Sequence, residues 1–246
     1  MIEMNGRRVV IVGGGMGIGL AAVEILQREG ARIWVADIDP TAEMRVKALS
    51  PSIGFAKVDA TSPVDVDRLL NAAESDMGGI DCLFTTIGGA TLGPLEDMEA
   101  EAWDREIRFN LGSAYAVGRG ALPYLRRSGG GSMVFTSSGY ALLAGDDRVA
   151  YSAAKAGVIA FSRSLAMIAA PNGTRVNCIA PGPTDTPRFR AMNGGDVGVE
   201  KVRSKMPLGK IPTPADSANL AVFLLSDAAA AITGQTVHVN GGLLMP

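Results

Sequence analysis

Residues 9–19 read VVIVGGGMGIG: four β-branched side chains in a row, then five glycines, then LAAVEILQREG at 20–30 with helical periodicity. An unbroken β-branched run suits a strand buried on both faces, and Gly13, Gly17 and Gly19 mark where the chain turns sharply beside something large. Phosphate answers to that description, because it can rest on the free N–H groups of a helix N-terminus only where no side chain stands in the way. The spacing is G-x-x-x-G-x-G rather than the better-known G-x-G-x-x-G. The loop therefore points to a nucleotide, although the same glycines would also serve a plain strand-to-helix turn.

Outward from this stretch, strand-like apolar runs recur at 8–12, 32–36, 53–58, 82–86, 132–136, 175–179 and 236–239, with helix-like periodicity between most of them. Such alternation predicts βαβ units and a doubly wound, Rossmann-type α/β fold: a seven-stranded parallel sheet with helices on both faces. The first helix presents Ala22, Ile25 and Leu26 on one side and stops at Gly30. With no linker or repeat in view, residues 1–246 are expected to form one domain. The stretch 184–210, rich in Pro, Gly, Met and charge, reads as a long functional loop for substrate.

Bulk properties narrow the partners. A net charge of -2 gives no electrostatic footprint for nucleic acid, and no Lys/Arg run suggests a membrane surface. No apolar run approaches the roughly 18 residues of a spanning helix, and MIEMNGRR leads directly into the first strand, so a cytoplasmic protein is expected. Cys82 and Cys178 each sit in an apolar strand and read as buried thiols rather than a disulfide or metal pair; no metal site is expected.

The second strand ends IWVADID, which places Asp37 18 residues after Gly19. In doubly wound folds an acid at about that distance accepts hydrogen bonds from the adenosine ribose hydroxyls, and it repels a 2′-phosphate. The glycine loop holds no Arg or Lys to offset that charge, its variable positions being Gly14, Gly15, Met16 and Ile18, so NAD is expected in preference to NADP. Asp59, in FAKVDA, would fall at the same sheet edge and could face the adenine amino group, while VDATS also reads as a helix-capping turn.

YSAAK at 151–155 opens a further helix and puts Tyr151 and Lys155 at i and i+4, on one face. Tyrosine is a poor acid–base group near neutrality. An ammonium about 5 Å away at an effective dielectric of about 20 contributes roughly 3 kcal/mol, enough to bring the phenol toward pH 8 or 9. GSMVFTSS at 131–138 ends in hydroxyls 13 residues before the tyrosine, and Asn110 in RFNLGSAY supplies an amide.

Taken together, Gly13, Gly17, Gly19, Asp37, Asp59, Asn110, Ser138, Tyr151, Lys155, NCIAPGPTDT at 177–186 and ITGQTVHVNGG at 232–242 resemble the short-chain dehydrogenase/reductase family, in its single-domain branch. The resemblance implies that Tyr151 is the proton donor in reduction and acceptor in oxidation, and that Ser138 hydrogen-bonds the substrate oxygen. Lys155 would bind the nicotinamide ribose and bias Tyr151 toward phenolate, and Asn110 would hold a water behind Lys155. Gly13, Gly17, Ile18, Gly19, Asp37 and Asp59 would face the cofactor. Thr86 and Gly88 would line its adenosine side, and Pro181, Gly182, Thr184 and Thr186 would pass beside the nicotinamide or pyrophosphate. The chain departs from the family pattern at Val12, usually Thr, and at 85–88, Thr-Thr-Ile-Gly in place of Asn-Asn-Ala-Gly.

The expected activity is NAD-dependent interconversion of a secondary alcohol and a ketone on a small or medium, partly apolar molecule. The alternatives are an NADPH-dependent 3-oxoacyl thioester reductase and a catalytically silent nucleotide-binding protein. Specificity should reside in 89–98, 139–150 and 184–210, with Tyr140 and Leu142 as pocket candidates and Asp146, Asp147 and Arg148 as polar ones. His238, Trp34 and Trp103 read as structural. The resemblance also implies a homotetramer, or failing that a dimer, built through the helices from about 111 and 151 and the C-terminal region.

Overall fold

The computed structural model describes residues 2–143 and 145–245, the side chain of Arg188 excepted. Ala144, within the expected specificity segment 139–150, and that side chain, within 184–210, therefore lie outside the described residues.

One parallel sheet runs through the chain in the order β3-β2-β1-β4-β5-β6-β7. Its strands are β1 (Arg8–Val12), β2 (Arg32–Asp37), β3 (Gly54–Lys57), β4 (Cys82–Thr85), β5 (Gly131–Thr136), β6 (Thr174–Pro181) and β7 (Thr236–Val239). Seven strands were expected at these places, and the fold class is as the periodicity predicts. The β-branched run of β1 is buried on both sides, none of Val9, Val10, Ile11 and Val12 being more than 1% exposed. Alternation sends Val9 and Ile11 to one core and Val10 and Val12 to the other.

On the first face lie α1 (Gly17–Arg28), α2 (Ala42–Leu49) and α9 (Pro214–Leu225), contributing Ala22, Leu26, Val46, Ala221 and Leu225. On the second lie α3 (Pro63–Met77), α5 (Ser113–Arg127) and α6 (Val149–Ala169), contributing Leu69, Leu70, Val117, Leu125, Val158 and Leu165. Each fully buried aliphatic side chain contributes about 1.5–3 kcal/mol relative to exposure. Both layers are needed, because a parallel sheet has no face suited to water.

Strand order reverses between β1 and β4: successive crossovers run outward to β2 and β3 on one side and to β5, β6 and β7 on the other. The connections leaving the carboxyl ends of β1 and β4 consequently part, opening a crevice at the topological switch point.

Two expectations need correction. The stretch 184–210 is not irregular throughout, since it contains α7 (Pro187–Met192) and α8 (Asp196–Arg203). Thr186 caps α7 with Pro187 at its first position, and Gly194 and Gly195, both at positive φ, separate the helices. Periodicity was hard to read because α7 spans six residues and α8 buries none. The second concerns 149–172, α6 and the turn after it: an 18-residue part of it has a mean hydropathy of 1.3, so by length and composition alone it would pass for a membrane-crossing segment. Lys155 and Arg163 interrupt the apolar run without lowering its average far. Its buried residues Val158, Ile159, Leu165 and Ala166 belong to the second core, as in the core helix of a globular protein.

Candidate active site

The glycine loop occupies the switch-point crevice. Gly13 N–H donates to the Ala36 carbonyl at 2.7 Å, which ties the loop to the end of β2. Gly13 takes φ +87°, and the chain then enters α1 at Gly17. A Cβ on Gly19 would stand 2.1 Å from the Gly13 carbonyl oxygen, so the loop can fold onto its own helix only with glycine there. At Gly17 a Cβ would meet nothing within 4 Å; it would project into the open space before the helix. Met16 provides no side-chain cap, leaving the first-turn N–H groups of Gly17, Ile18 and Gly19 to face that space. A pyrophosphate fits such a cradle in size and charge.

Asp37 stands beside it at the end of β2. Its Oδ2 accepts from Gly15 N–H at 2.8 Å and its Oδ1 from Asp39 N–H at 3.0 Å. Each carboxylate oxygen retains acceptor capacity for a ribose hydroxyl. Asp59 spends Oδ1 on the N–H and hydroxyl of Thr61, so it organises the turn before α3, whose cap is Ser62. Thr86 reaches the crevice from β4 and donates its hydroxyl to the Gly13 carbonyl at 2.7 Å.

The second group of residues converges from four elements. Lys155 lies one turn after Tyr151 on α6 and is 2% exposed, its ammonium donating to the carbonyls of Ile87 and Thr136, both at 2.9 Å. Burial pushes its pKa down to about 8. The ammonium lies 5.8 Å from the centre of the Tyr151 ring. A Cβ on Gly88 would come within 2.6 Å of Lys155 Nζ and 3.1 Å of Asn110 Oδ1, which explains the glycine after Ile87.

Asn110 sits in a π-helical turn, Arg108–Gly112, between α4 (Ala100–Ile107) and α5. Its amide donates to the carbonyls of Gly89 and Glu106, and its Oδ1 accepts from Gly89 N–H. Both side-chain N–H groups are thus spent on carbonyls, and the side chain fastens the segment after β4. Ser138 follows β5, buried, with its oxygen accepting from Tyr140 N–H at 3.2 Å. The hydroxyl proton of Ser138 remains to be donated elsewhere.

Ser138 and Tyr151 share a cleft of about 550 Å³ with Gly88, Gly182, Thr184 and Thr186. Pro181 ends β6 immediately before it. Thr184 donates its hydroxyl to the Gly182 carbonyl at 3.1 Å, while the Thr186 oxygen is engaged in capping α7.

The family model described as Enoyl-(Acyl carrier protein) reductase matches residues 13–244. The chain belongs to the short-chain dehydrogenase/reductase family. It is 33% identical over 243 residues to 2-(S)-hydroxypropyl-CoM dehydrogenase 3 of Xanthobacter autotrophicus, covering 96% of this chain and 95% of that one. It is 32% identical to D-beta-hydroxybutyrate dehydrogenase of Cupriavidus necator, over 97% and 98% of the two chains. With the 3-oxoacyl-[acyl-carrier-protein] reductase FabG of Vibrio cholerae it shares 30% identity over 99% and 100%. Among solved structures, a short-chain type dehydrogenase/reductase from Mycobacterium ulcerans superposes with a TM-score of 0.94 at 28% identity, covering 98% of this chain and 91% of that one. The protein is thus an oxidoreductase of a family that works with a nicotinamide cofactor, and the loop, Asp37 and the buried lysine suit that group.

Two residues of this short-chain oxidoreductase, Ser137 and Arg45, were not singled out as site residues from sequence. Ser137 donates its hydroxyl to the Lys155 carbonyl at 2.7 Å, fixing α6 against the end of β5. Arg45 on α2 donates to the Gly15 carbonyl at 2.7 Å. A long guanidinium arriving from another helix carries no local motif. The first serine of TSS was visible but had no partner to assign.

The cleft walls include Tyr140, Asp147 and Arg148, and the Arg148 guanidinium lies 4.1 Å above the Tyr140 ring while pairing with Asp147. Leu142 is 53% exposed and, with Asp146, is not among the lining residues. Leu92, Phe189, Met192 and Val202 supply an apolar wall.

His238 lies on β7 opposite Ala180, away from the cleft lining, with its pKa lowered by burial. Trp34 donates to Asp76 at 2.9 Å and covers Gly54. Cys82 and Cys178 are free, buried thiols, pushed up by desolvation to about 12 and about 11. Among the described residues no three His, Cys, Asp or Glu side chains converge as a metal site would require.

Proposed function

We propose that this oxidoreductase uses NAD to interconvert a secondary alcohol and a ketone, with Tyr151 as the proton donor and acceptor. The observation that carries the reading is that Tyr151 and Ser138 line the same cleft, with the Lys155 ammonium 5.8 Å from the centre of the phenol ring. The nicotinamide ring, when bound, supplies or accepts the hydride. Ser138 donates its hydroxyl proton to the substrate oxygen and holds it near the phenol. Tyr151 gives that oxygen a proton in reduction and removes it in oxidation. Lys155 has spent two of its three protons on Ile87 and Thr136, leaving one for the nicotinamide ribose, while its charge favours phenolate. Gly17, Ile18 and Gly19 receive the pyrophosphate, and Asp37 the adenosine ribose, with Thr86 bracing the loop. Asp59, Gly88, Pro181, Gly182, Thr184 and Thr186 frame the remainder of the site.

Asp37 supports NAD, since its carboxylate would repel a 2′-phosphate. The apolar wall of the cleft supports a partly apolar alcohol or ketone. A second reading, an NADPH-dependent 3-oxoacyl thioester reductase, draws support from the FabG relatives and from Arg45, a cation close to the loop. The pairing of Arg45 with Asp39 argues against a 2′-phosphate role for it.

A panel of ketones and alcohols assayed with NADH and NADPH, NAD and NADP, tests both parts. Turnover that prefers NADPH overturns the choice of cofactor, and wild-type rates in Tyr151→Phe overturn the proton donor.

We further place the protein in the cytoplasm, as two unpaired buried thiols suit a reducing compartment. It is proposed to assemble as a homotetramer. Exposed apolar side chains on the side of α5 and α6, among them Phe109, Tyr115, Met167 and Ile168, offer a second copy its contact. Light scattering should give four copies, and a monomer at micromolar concentration would refute the assembly.

A further inference from the structure

We propose that Arg45 is a positioning residue for the nucleotide: it fastens the middle of the glycine loop in the shape that receives the adenosine half of a dinucleotide. The inference rests on the dinucleotide site of the family and does not depend on whether NAD or NADP is preferred.

Gly15 lies between two charged side chains. Its N–H donates to Asp37 Oδ2 at 2.8 Å, and its carbonyl accepts from Arg45 Nε at 2.7 Å. Neither flanking peptide can rotate without giving up a charge-assisted hydrogen bond. Three consecutive glycines, 13 to 15, would otherwise sample many backbone states, and ordering them when a ligand arrives would subtract from affinity. The clamp completes that ordering beforehand.

Position 15 also has no room for another residue. A Cβ there would fall 2.4 Å from the Ala42 Cβ and 2.7 Å from Asp37 Oδ2. The loop, the end of β2 and α2 therefore close on one another at this glycine, and a shift of the loop would drag the Asp37 carboxylate with it.

Arg45 is itself held in place. Its Nη1 donates to Thr41 Oγ1 at 2.7 Å and its Nη2 pairs with Asp39 Oδ2. Asp39 is anchored in turn by the N–H and hydroxyl of Thr41, both at 2.8 Å from its Oδ1. The guanidinium's charge is answered locally, which suits a brace rather than an anion receptor.

The test compares the full-length chain with Arg45→Met and Arg45→Lys. NADH and NADPH are titrated by nicotinamide fluorescence and AMP by calorimetry, with kcat at saturating cofactor and thermal unfolding measured alongside. Loss of a charge-assisted bond should weaken AMP and the preferred dinucleotide by about 10–50-fold in the Met variant, with kcat within about threefold of the parent. Lysine, which can still donate to the Gly15 carbonyl, should recover most of the loss. Binding of AMP and dinucleotide within about twofold of the parent in Arg45→Met overturns the proposal, as does a lysine variant no better than methionine. If the Met variant does not fold, the lysine variant decides: near-parental binding supports the clamp, and binding more than about tenfold weaker refutes it. A parent that prefers NADPH would sink the NAD reading and leave this comparison, made within one nucleotide, intact.

Discussion

Gly88 and Lys155 share one small space: where residue 88 would carry a Cβ, Lys155 Nζ is only 2.6 Å away. The absent methyl group is what lets the ammonium reach from α6 to the Ile87 carbonyl beyond the end of β4. Gly88→Ala should therefore push the ammonium off both carbonyls and out of register with Tyr151. Misplacement of about 1 Å is expected to lower kcat/KM roughly 100-fold. Steady-state kinetics check this, and a value within about threefold of wild type would show that the lysine can give way without consequence.

Tyr151→Phe removes the group proposed to transfer a proton to and from the substrate oxygen. Turnover should fall by about 10²–10⁴-fold while cofactor affinity, read by fluorescence titration, stays within a few-fold. Ser138→Ala should act on the same kinetic constants more mildly. The double variant should cost less than the product of the two losses, because both residues act on one oxygen.

Lys155 makes stability depend on pH with a definite sign. Its folded pKa, about 8, lies below the ordinary 10.5, so the fold penalises the ammonium. Below pH 8 both states are protonated and the full penalty applies. Between 8 and 10.5 the unfolded chain binds the proton and the folded one does not, so the unfolding free energy rises with pH and levels off above 10.5. The total rise attributable to this group is about 3 kcal/mol. Urea unfolding of wild type and Lys155→Met at pH 7.5 and 9.5 isolates it: wild type should gain on the variant by about 2 kcal/mol over that interval. Parallel curves would mean that the ammonium is better solvated than its burial implies.

Asp37→Asn keeps the shape of the β2 terminus and removes its charge. The ratio of kcat/KM for NADH over NADPH should move by about tenfold toward NADPH, the loss of one like-charge contact in a partly exposed site. An unchanged ratio would place the 2′ position away from this carboxylate.

Much of this organisation was legible because it is local. VVIV announced burial on two faces before any partner strand was known, and Tyr151 and Lys155 declare a shared helix face through their spacing alone. Gly13, Gly17 and Gly19 likewise mark a turn through backbone geometry that the residue type dictates. What stayed hidden depends on distant chain segments. Arg45 acts on a glycine 30 positions away, and Asn110 bonds Gly89 across a π turn that no periodicity foretells. Asp59 read either as a partner for adenine or as part of a capping turn, and its carboxylate bonds its own turn, while that of Asp37 reaches the loop. α7 and α8 escaped notice because helices this short, covering a cleft rather than a core, carry little apolar signature.

The hydroxyl of Thr86 on the carbonyl of Gly13 joins the ends of β1 and β4 at the point in the sheet where the chain departs in opposite directions. A gap in that place is the natural line along which such a sheet would gape. Stitched at its root, it keeps its width whether or not anything fills it, so the nucleotide end acts as a fixed jaw and accommodation to differently shaped guests falls to the short helices over the other end.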